Sequence, residues 1–225
     1  MTDQTAKLDW RQTDAGAVPV SVQFDDPYYS LVGGLAETRH VFLDGNDLPA
    51  RFGGDFQIAE LGFGTGLNLL TAWAAWERAG CSGRLNFTSF EAFPMDAAQM
   101  ARALQAFPEV APWRDRFLTG WAGSGGYMSE TLRFELIVGD ARKTLPEWEG
   151  QADAWFLDGF SPARNPELWG AKLLADVGRH TAPAGTLATY TAAGQVRRAL
   201  QAAGFLITRV PGYGRKRHMT RGALA

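Results

Sequence analysis

The sequence predicts an α/β protein with a mostly parallel sheet and helices on both of its faces. Short apolar runs typical of buried strands alternate with segments of helical periodicity along most of the 225 residues. A glycine turn joins the first of these strands to a helix, and acidic residues stand at the ends of four successive predicted strands. Such alternation is typical of parallel sheets that are covered by helices on both faces.

Length and composition describe one globular domain. Hydrophobic residues make up 46% of the chain and charged residues 20%, which is ordinary for a folded protein. The one cysteine, Cys81, excludes an internal disulfide and fits a reducing compartment. No stretch approaches the roughly 18 apolar residues of a membrane span, and no signal peptide is evident. We therefore expect a soluble, cytoplasmic protein.

The net charge of -2 conceals a basic C-terminal part. After Asp176 the chain has eight basic residues and no acidic one. A basic segment on an acidic body indicates contact with a polyanion. The alternative is a solvated face whose charge the acidic body neutralises.

Residues 1–55 precede the glycine turn and are predicted to be an extension that packs on a core domain at 56–225, with one structural domain overall. Within the extension, 18–24 is predicted to be a strand of a hairpin and 35–42 a short helix. Tyr28 stands beside acidic residues and a glycine pair, which makes it a candidate for a ligand pocket. Packing of the extension against the core is the alternative.

The best-defined motif is E-x-G-x-G-x-G at 60–66, followed by Asn68 at the start of a helix. Its glycines permit positive φ and a close approach of ligand to backbone. Dinucleotide-binding folds use G-x-G-x-x-G around a pyrophosphate, which a carboxylate at Glu60 would repel. That carboxylate suits the ammonium group of S-adenosylmethionine instead. The motif is similar to motif I of Rossmann-like methyltransferases, and it predicts cofactor contacts from Glu60, Gly62, Gly64, Gly66 and Asn68. A structural glycine turn is the alternative.

The later elements follow in the order strand, helix, strand. The predicted strands are 85–90, 132–138, 154–157, 185–190, 205–210 and 216–220, the last two forming a hairpin. The predicted helices are 68–76, 96–107, 142–148, 168–179 and 193–203. Residues 108–127, rich in Trp, Gly and Pro, are predicted to be an irregular loop or part of a lid.

Acidic residues end these strands. Glu91 follows the second strand, where a βαβ nucleotide fold places a carboxylate on ribose hydroxyls. Asp140, in Gly-Asp-Ala after the third strand, looks like the element that approaches the adenine in methyltransferases. Because the carboxyl ends of parallel strands share one edge of the sheet, we expect Glu60, Glu91, Asp140 and Asp158 to lie together. Solvated strand-end acids are the alternative.

The segment Asp-Gly-Phe-Ser-Pro at 158–162 occupies the place where amino-methyltransferases carry an Asn/Asp-Pro-Pro-aromatic motif. An aliphatic amine is mostly protonated near neutral pH and attacks only with its lone pair free. A carboxylate at Asp158 would accept N–H bonds, aim the lone pair and take the proton, which makes Asp158 the catalytic candidate. Phe160 is a candidate for stacking on a planar substrate ring. A turn-forming Asp and a core aromatic are the alternatives. The scattered histidines predict no metal site.

Long segments resemble the methyltransferase half of the MnmC family of bifunctional tRNA-modifying proteins, and the run DAWFLDGFSPARNPELW at 153–169 is the most specific of them. The other matching segments are 8–10, 19–21, 24–30, 37–43, 60–70, 89–94, 152–166, 185–188 and 212–217. The resemblance implies a Rossmann-like fold and methyl transfer from S-adenosylmethionine to the amine of 5-aminomethyl-2-thiouridine at the wobble position of tRNA. It also implies that Asp158 is the catalytic residue.

A tRNA anticodon loop as partner would give the basic segment a role. The candidate phosphate contacts are Arg197, Arg198, Arg215, Lys216 and Arg217. The FAD-dependent oxidase half of that family has no counterpart in these residues, so the chain is either a free-standing methyltransferase or a fragment of a bifunctional protein. For a free-standing chain, a separate FAD-dependent oxidase is the expected supplier of the amine. Alternatives are N-methylation of a small-molecule amine or another nucleic acid, and a non-catalytic tRNA- or partner-binding module. A nicotinamide oxidoreductase is least favoured because of the glycine spacing.

Overall fold

The computed structural model describes residues 5–13, 16–30, 33–121, 123 and 125–225. The strands of this part of the chain are β1 (Leu8–Thr13), β2 (Gly16–Ser21), β3 (Asp26–Pro27), β4 (Phe56–Leu61), β5 (Leu85–Glu91), β6 (Gly126–Met128), β7 (Leu132–Val138), β8 (Ala152–Leu157), β9 (Thr181–Thr189), β10 (Phe205–Pro211) and β11 (His218–Leu224).

Seven α-helices lie within the same described residues. They are α1 (Gly34–Thr38), α2 (Leu67–Arg78), α3 (Ala97–Ala103), α4 (Ala111–Gly120), α5 (Ala141–Thr144), α6 (Ala171–Arg179) and α7 (Gly194–Ala202). Helix α3 begins with a capping box, in which Asp96 accepts from the Gln99 backbone at 2.7 Å and Gln99 accepts from the Asp96 backbone at 3.0 Å. None of the helices in the described residues combines the length and the apolar character needed to cross a membrane.

The larger sheet of the described residues has eight strands in the order β10-β11-β9-β8-β4-β5-β7-β6. Strands β7, β5, β4, β8 and β9 are parallel neighbours, whereas β11 is antiparallel to both β9 and β10. The predicted α/β class with a mostly parallel sheet and a final hairpin is confirmed. The chain moves outward from β4 in both directions, so β4 and β8 flank the point where a crevice opens beyond the carboxyl ends of the strands.

Two hydrophobic clusters cover the two faces of this sheet. Ile58 of β4 lies in the cluster that contains Trp73 of α2, whereas Ala59 lies in the cluster that contains Leu173 of α6. This alternation follows from the two-residue period of a strand. Each fully buried aliphatic side chain, such as Leu70, contributes about 1.5–3 kcal/mol to folding.

The N-terminal extension packs onto the first of these clusters. Strands β1, β2 and β3 form a small antiparallel sheet, so a hairpin is present as predicted. Val41 and Phe42 are buried in the same cluster as α2. The Arg51 guanidinium fastens the extension to the sheet by donating to the Asp153 carbonyl at 3.0 Å and to Thr186. The division of the chain at residue 55 stays a prediction.

The prediction of an irregular loop or lid at 108–127 is wrong. Helix α4 and strand β6 occupy most of this segment. Pro112 stands in the first turn of α4, where a missing N–H costs nothing, and Phe117 and Trp121 pack as stacked rings 5.1 Å apart. The last strand also differs from the prediction of 216–220, because the Lys216 N–H donates to the Tyr213 carbonyl in a turn and β11 begins only at His218.

Candidate active site

A cavity of 1310 Å³ opens at the carboxyl ends of the parallel strands. Its walls come from the segments that follow β4, β5, β7 and β8, from the N-terminal extension, and from the turn at 212–217 between β10 and β11. We call this last segment the basic turn. The N-terminal extension and the basic turn therefore both help to enclose the crevice at the centre of the sheet.

The cavity brings together most of the residues predicted from the sequence. Those that line it are Asp158, Gly62, Gly64, Asn68, Glu91, Asp140, Phe160, Tyr28, Arg215 and Lys216. The predicted residues that stand outside the lining are Glu60, Gly66, Arg197, Arg198 and Arg217, all of which are described.

The glycine turn after β4 brings the backbone close to β8. Gly62 has φ +91°, and a Cβ atom at this position would lie 2.5 Å from the Asp158 carbonyl oxygen. Gly64 also has a positive φ and faces the Tyr28 ring. Gly66 instead packs against Met100, 2.9 Å from where its Cβ would stand, so its requirement for glycine comes from the start of α2 rather than from the cavity.

Glu60 lies beneath the cavity and does not face it. Its side chain is fully buried, and it accepts hydrogen bonds from Ser89 Oγ at 2.7 Å and from Asn68 Nδ2 at 2.8 Å. Burial raises its pKa well above the ordinary value, although the two hydrogen bonds act in the opposite direction. The first turn of α2 covers this carboxylate with Asn68, and a contact of Glu60 with a ligand ammonium stays a prediction.

Asn68 joins Glu60 to Asp158. Its Nδ2 also donates to Asp158 Oδ2 at 2.7 Å, so the same amide nitrogen serves both carboxylates. Burial raises the pKa of Asp158 to about 7, and the nearby charge of Glu37 also raises it. Donation from Asn68 and the positive charge of Lys216 lower it in part. A carboxyl group with such a pKa gains and loses a proton near neutral pH, as a general base requires.

Two further strand-end acids line the rim of the cavity. Glu91 accepts from the backbone N–H of Gly64 at 3.1 Å and of Phe93 at 2.8 Å, so its carboxylate stands between the ends of β4 and β5. Asp140 begins α5 and forms an ion pair with Arg142 at 2.7 Å. The Arg142 side chain is the main cause that lowers the pKa of Asp140. The roles of both acids in cofactor binding stay predictions.

Aromatic rings line the wall beside Asp158. The Phe160 ring stacks on Phe24 with 4.8 Å between ring centroids and meets the edge of Tyr28 at 4.9 Å. Burial, followed by the charge of Glu91, raises the pKa of the Tyr28 hydroxyl, which therefore stays neutral. The extension thus contributes to the cavity, as the prediction for Tyr28 required.

Sequence reasoning missed Phe24, Glu37 and Tyr190, which also line the cavity. Glu37 Oε1 lies 2.8 Å from Lys216 Nζ, and the Tyr190 hydroxyl donates to the Gly159 carbonyl at 2.7 Å. An acid in a short helix is usually solvated, so the sequence around Glu37 carries no local signal. A strand-end residue such as Tyr190 is detectable by the argument applied to the acids, once aromatic residues are included.

The chain is similar to known proteins in both sequence and fold. The sequence model of a family described as S-adenosyl-L-methionine-dependent methyltransferases matches residues 109–225. The "tRNA 5-methylaminomethyl-2-thiouridine biosynthesis bifunctional protein MnmC" of Pseudomonas aeruginosa is 47% identical over 235 residues, which cover 97% of this chain and 35% of that protein. The protein of the same name from Chromobacterium violaceum is 42% identical over 241 residues, covering 100% and 35%. The chain thus spans about a third of the length of these curated relatives.

Solved structures agree on the fold. The crystal structure of MNMC2 from Aquifex aeolicus is similar with a TM-score of 0.79 and 29% identity, covering 97% of this chain and 71% of that one. TrmN from Thermus thermophilus has a TM-score of 0.51 and 15% identity, covering 93% and 56%, and this likeness concerns the fold alone.

Proposed function

The chain belongs to the S-adenosyl-L-methionine-dependent methyltransferase family, and we propose that it methylates the primary amine of 5-aminomethyl-2-thiouridine at the wobble position of tRNA. The observation that carries the choice of an amine is Asp158, a carboxyl group on the cavity wall whose pKa is raised to about 7. The names of the curated relatives, which describe the biosynthesis of 5-methylaminomethyl-2-thiouridine, support the choice of tRNA.

The residues of the cavity fit S-adenosylmethionine. The turn at Gly62 and Gly64 presents backbone without side chains, and Glu91 stands beside it as an acceptor for ribose hydroxyls. The acidic rim suits a nucleoside that is cationic and carries no phosphate. When bound, S-adenosylmethionine supplies an electrophilic sulfonium methyl group, which the substrate nitrogen attacks.

Asp158 prepares the amine in this proposal. Its carboxylate takes a proton from the substrate ammonium, the N–H bond breaks, and the electron pair stays on nitrogen as the free lone pair. Asn68 holds Oδ2 at 2.7 Å and thereby sets the direction of the carboxylate. Phe160 and its neighbour Phe24 offer an aromatic surface against which the uracil ring stacks.

The basic residues support an RNA substrate, and they fall into two groups: those that line the cavity and those that lie outside it. Arg215 and Lys216 reach the cavity and would contact the phosphates of the modified nucleotide. Arg197 and Arg217 form part of a positive patch outside it. Together with burial, their charges and that of Arg209 lower the pKa of His218. In this proposal the patch, with Arg198, contacts phosphates further along the anticodon arm. An FAD-dependent oxidase, as a separate protein or as another part of the same polypeptide, would supply the amine. The word "bifunctional" in the names of relatives about three times as long supports such an oxidase.

The test is methylation of total tRNA from cells that lack this modification, with S-adenosylmethionine as donor and mass analysis of the released nucleosides. We expect one methyl group to be added to 5-aminomethyl-2-thiouridine and to no other nucleoside. A tRNA whose wobble uridine carries no aminomethyl group is the control and should stay unmodified. Methylation of a different nucleoside, or none at all, would contradict the proposed function.

Replacing Asn68 by alanine should move the acid limb of the kcat–pH profile upward from about 7, the pKa of Asp158. The variant removes a hydrogen bond to the charged form of Asp158, so the pKa of this group rises and the base becomes active only at higher pH. A hydrogen bond to a charged group contributes about 1.5–3 kcal/mol, so we expect a shift of about one to two pH units.

The measurement is kcat against pH at saturating tRNA and cofactor. Asn165→Ala, which alters another asparagine of the cavity wall, is the matched control and should leave the limb in place. An Asn68→Ala profile that coincides with that of the unmodified enzyme would mean that Asn68 does not tune Asp158.

A further inference from the structure

The basic turn is fastened to the N-terminal extension along one side of the cavity. Lys216 Nζ lies 2.8 Å from Glu37 Oε1, and the His40 ring nitrogen Nε2 lies 3.1 Å from the Pro211 carbonyl oxygen. Glu37, Lys216 and Tyr213 all line the cavity. The two segments therefore form a single wall, and the ion pair lies on its inner side.

The two members of this ion pair differ in burial. The Glu37 side chain is 13% exposed, whereas the Lys216 side chain is 43% exposed and its ammonium lies 4.1 Å from the centroid of the Tyr190 ring. A carboxylate as buried as Glu37 depends on a nearby cation, because removing its partner leaves an uncompensated charge. Lys216 has a long flexible stem and can turn toward solvent without a comparable cost.

The ion pair also stands close to the proposed general base. The Tyr190 hydroxyl, beneath the Lys216 ammonium, donates to the carbonyl of Gly159, the residue after Asp158. The charges of Lys216 and Glu37 act on Asp158 in opposite directions. Glu37 and Asp158 thus line the same cavity, near enough for the charge of one to act on the pKa of the other.

We propose that the Glu37–Lys216 pair selects the substrate by exchanging partners: the substrate ammonium replaces Lys216 on Glu37, and Lys216 turns to a phosphate of the same RNA. This inference rests on the proposed function, since it assumes an RNA that carries an amine. It makes Glu37 a binding residue for the cationic form of the amine, before the proton passes to Asp158.

The exchange discriminates against RNA without the amine. A phosphate that draws Lys216 away from Glu37 leaves a buried carboxylate with no cation unless the same ligand brings an ammonium group. This unpaired carboxylate weakens the binding of RNA without the amine, in addition to any attraction between Glu37 and RNA that carries the amine. A nucleotide that offers both charges keeps every charged group paired.

The test compares the Kd of two anticodon stem-loops by fluorescence anisotropy, one with 5-aminomethyl-2-thiouridine and one with 2-thiouridine at the wobble position. We expect the unmodified enzyme to prefer the amine-bearing RNA by about tenfold, which corresponds to about 1.4 kcal/mol. Glu37→Gln should abolish the preference without weakening the binding of the amine-free RNA. Lys216→Met should weaken the binding of both RNAs but increase the preference, because it leaves Glu37 free for the ammonium.

The two variants are thus expected to change the preference for the amine-bearing RNA in opposite directions. If the ion pair were merely structural, both variants would lose affinity for both RNAs alike. Glu37→Asp keeps the charge and should retain most of the preference, which guards against misfolding of the Gln variant. Glu149→Gln, an exposed acid outside the cavity, is the charge-matched control. A Glu37→Gln enzyme that keeps the full preference would overturn the inference. An unmodified enzyme that neither prefers nor methylates the amine-bearing RNA would overturn the proposed function itself.

Discussion

Replacing Asp158 by asparagine is expected to lower kcat about 10²–10⁴-fold, the range that a positioned general base contributes. Asparagine has the same shape and its oxygen still accepts the hydrogen bond from Asn68, so the cavity should keep its form. Asparagine cannot, however, take a proton from the substrate ammonium, as the proposed function requires of residue 158. The Kd for S-adenosylmethionine should therefore stay close to that of the unmodified enzyme.

The measurement combines single-turnover kinetics on aminomethyl-tRNA with calorimetry of cofactor binding. The residual activity should rise with pH only as the substrate amine itself loses its proton, without the limb near pH 7 that the pKa of Asp158 predicts. Asp115→Asn, on the exposed side of α4, is the control and should retain full turnover. Turnover of the Asp158 variant equal to that of the control would remove this residue from the mechanism.

Gly62→Ala should lower the melting temperature by roughly 10 °C and abolish cofactor binding. A side chain at φ +91° costs about 1–3 kcal/mol, and the Cβ would stand 2.5 Å from a backbone oxygen of Asp158 that can move only with β8. Overpacking of this kind adds about 1–3 kcal/mol, and each kcal/mol lowers the melting temperature of a chain of this size by about 2–4 °C.

Gly53→Ala provides the matched control for this prediction. In the described structure no atom lies within 4 Å of a Cβ built at Gly53, and its φ is outside the left-handed region. Its melting temperature should stay within about 1–2 °C of the unmodified protein, since surface substitutions usually change stability by less than about 0.5 kcal/mol. Equal melting temperatures for the two variants would show that β8 yields to the added methyl group.

Local sequence patterns were sufficient to predict the residues at the centre of the candidate site. The apolar run of β4, the positive-φ glycines and the strand-end position of Asp158 are each properties of a few consecutive residues, and the structure has them as the sequence predicts. The burial of Glu60 could not be predicted from such local patterns. The place of Glu60 at the end of β4 is evident in the sequence. Its burial depends on how the first turn of α2 lies over it and points the Asn68 side chain at its carboxylate.

The wall of the cavity could not be predicted because it is assembled from distant segments. Glu37 meets Lys216, and Phe24 meets Phe160, only after the extension has folded across the ends of the strands. Neither contact has a local signature, since an acid in a short helix and an aromatic residue after a strand are common in many settings. The helix α4 was missed for a related reason, because Trp and Pro in 108–127 resemble loop composition until the burial of Phe117 and Trp121 is known.

The position of β11 has a consequence for how the wall of the cavity is assembled. This strand follows β10 in the chain but lies between β9 and β10, so β10 has no hydrogen-bonded neighbour in the described sheet until β11 has inserted. The basic turn connects these two strands, so its contacts with Glu37 and His40 of the extension require β11 to be paired in the sheet. The wall of the cavity that the basic turn forms therefore depends on the pairing of β11 with β9, a strand that precedes it by about thirty residues in the chain.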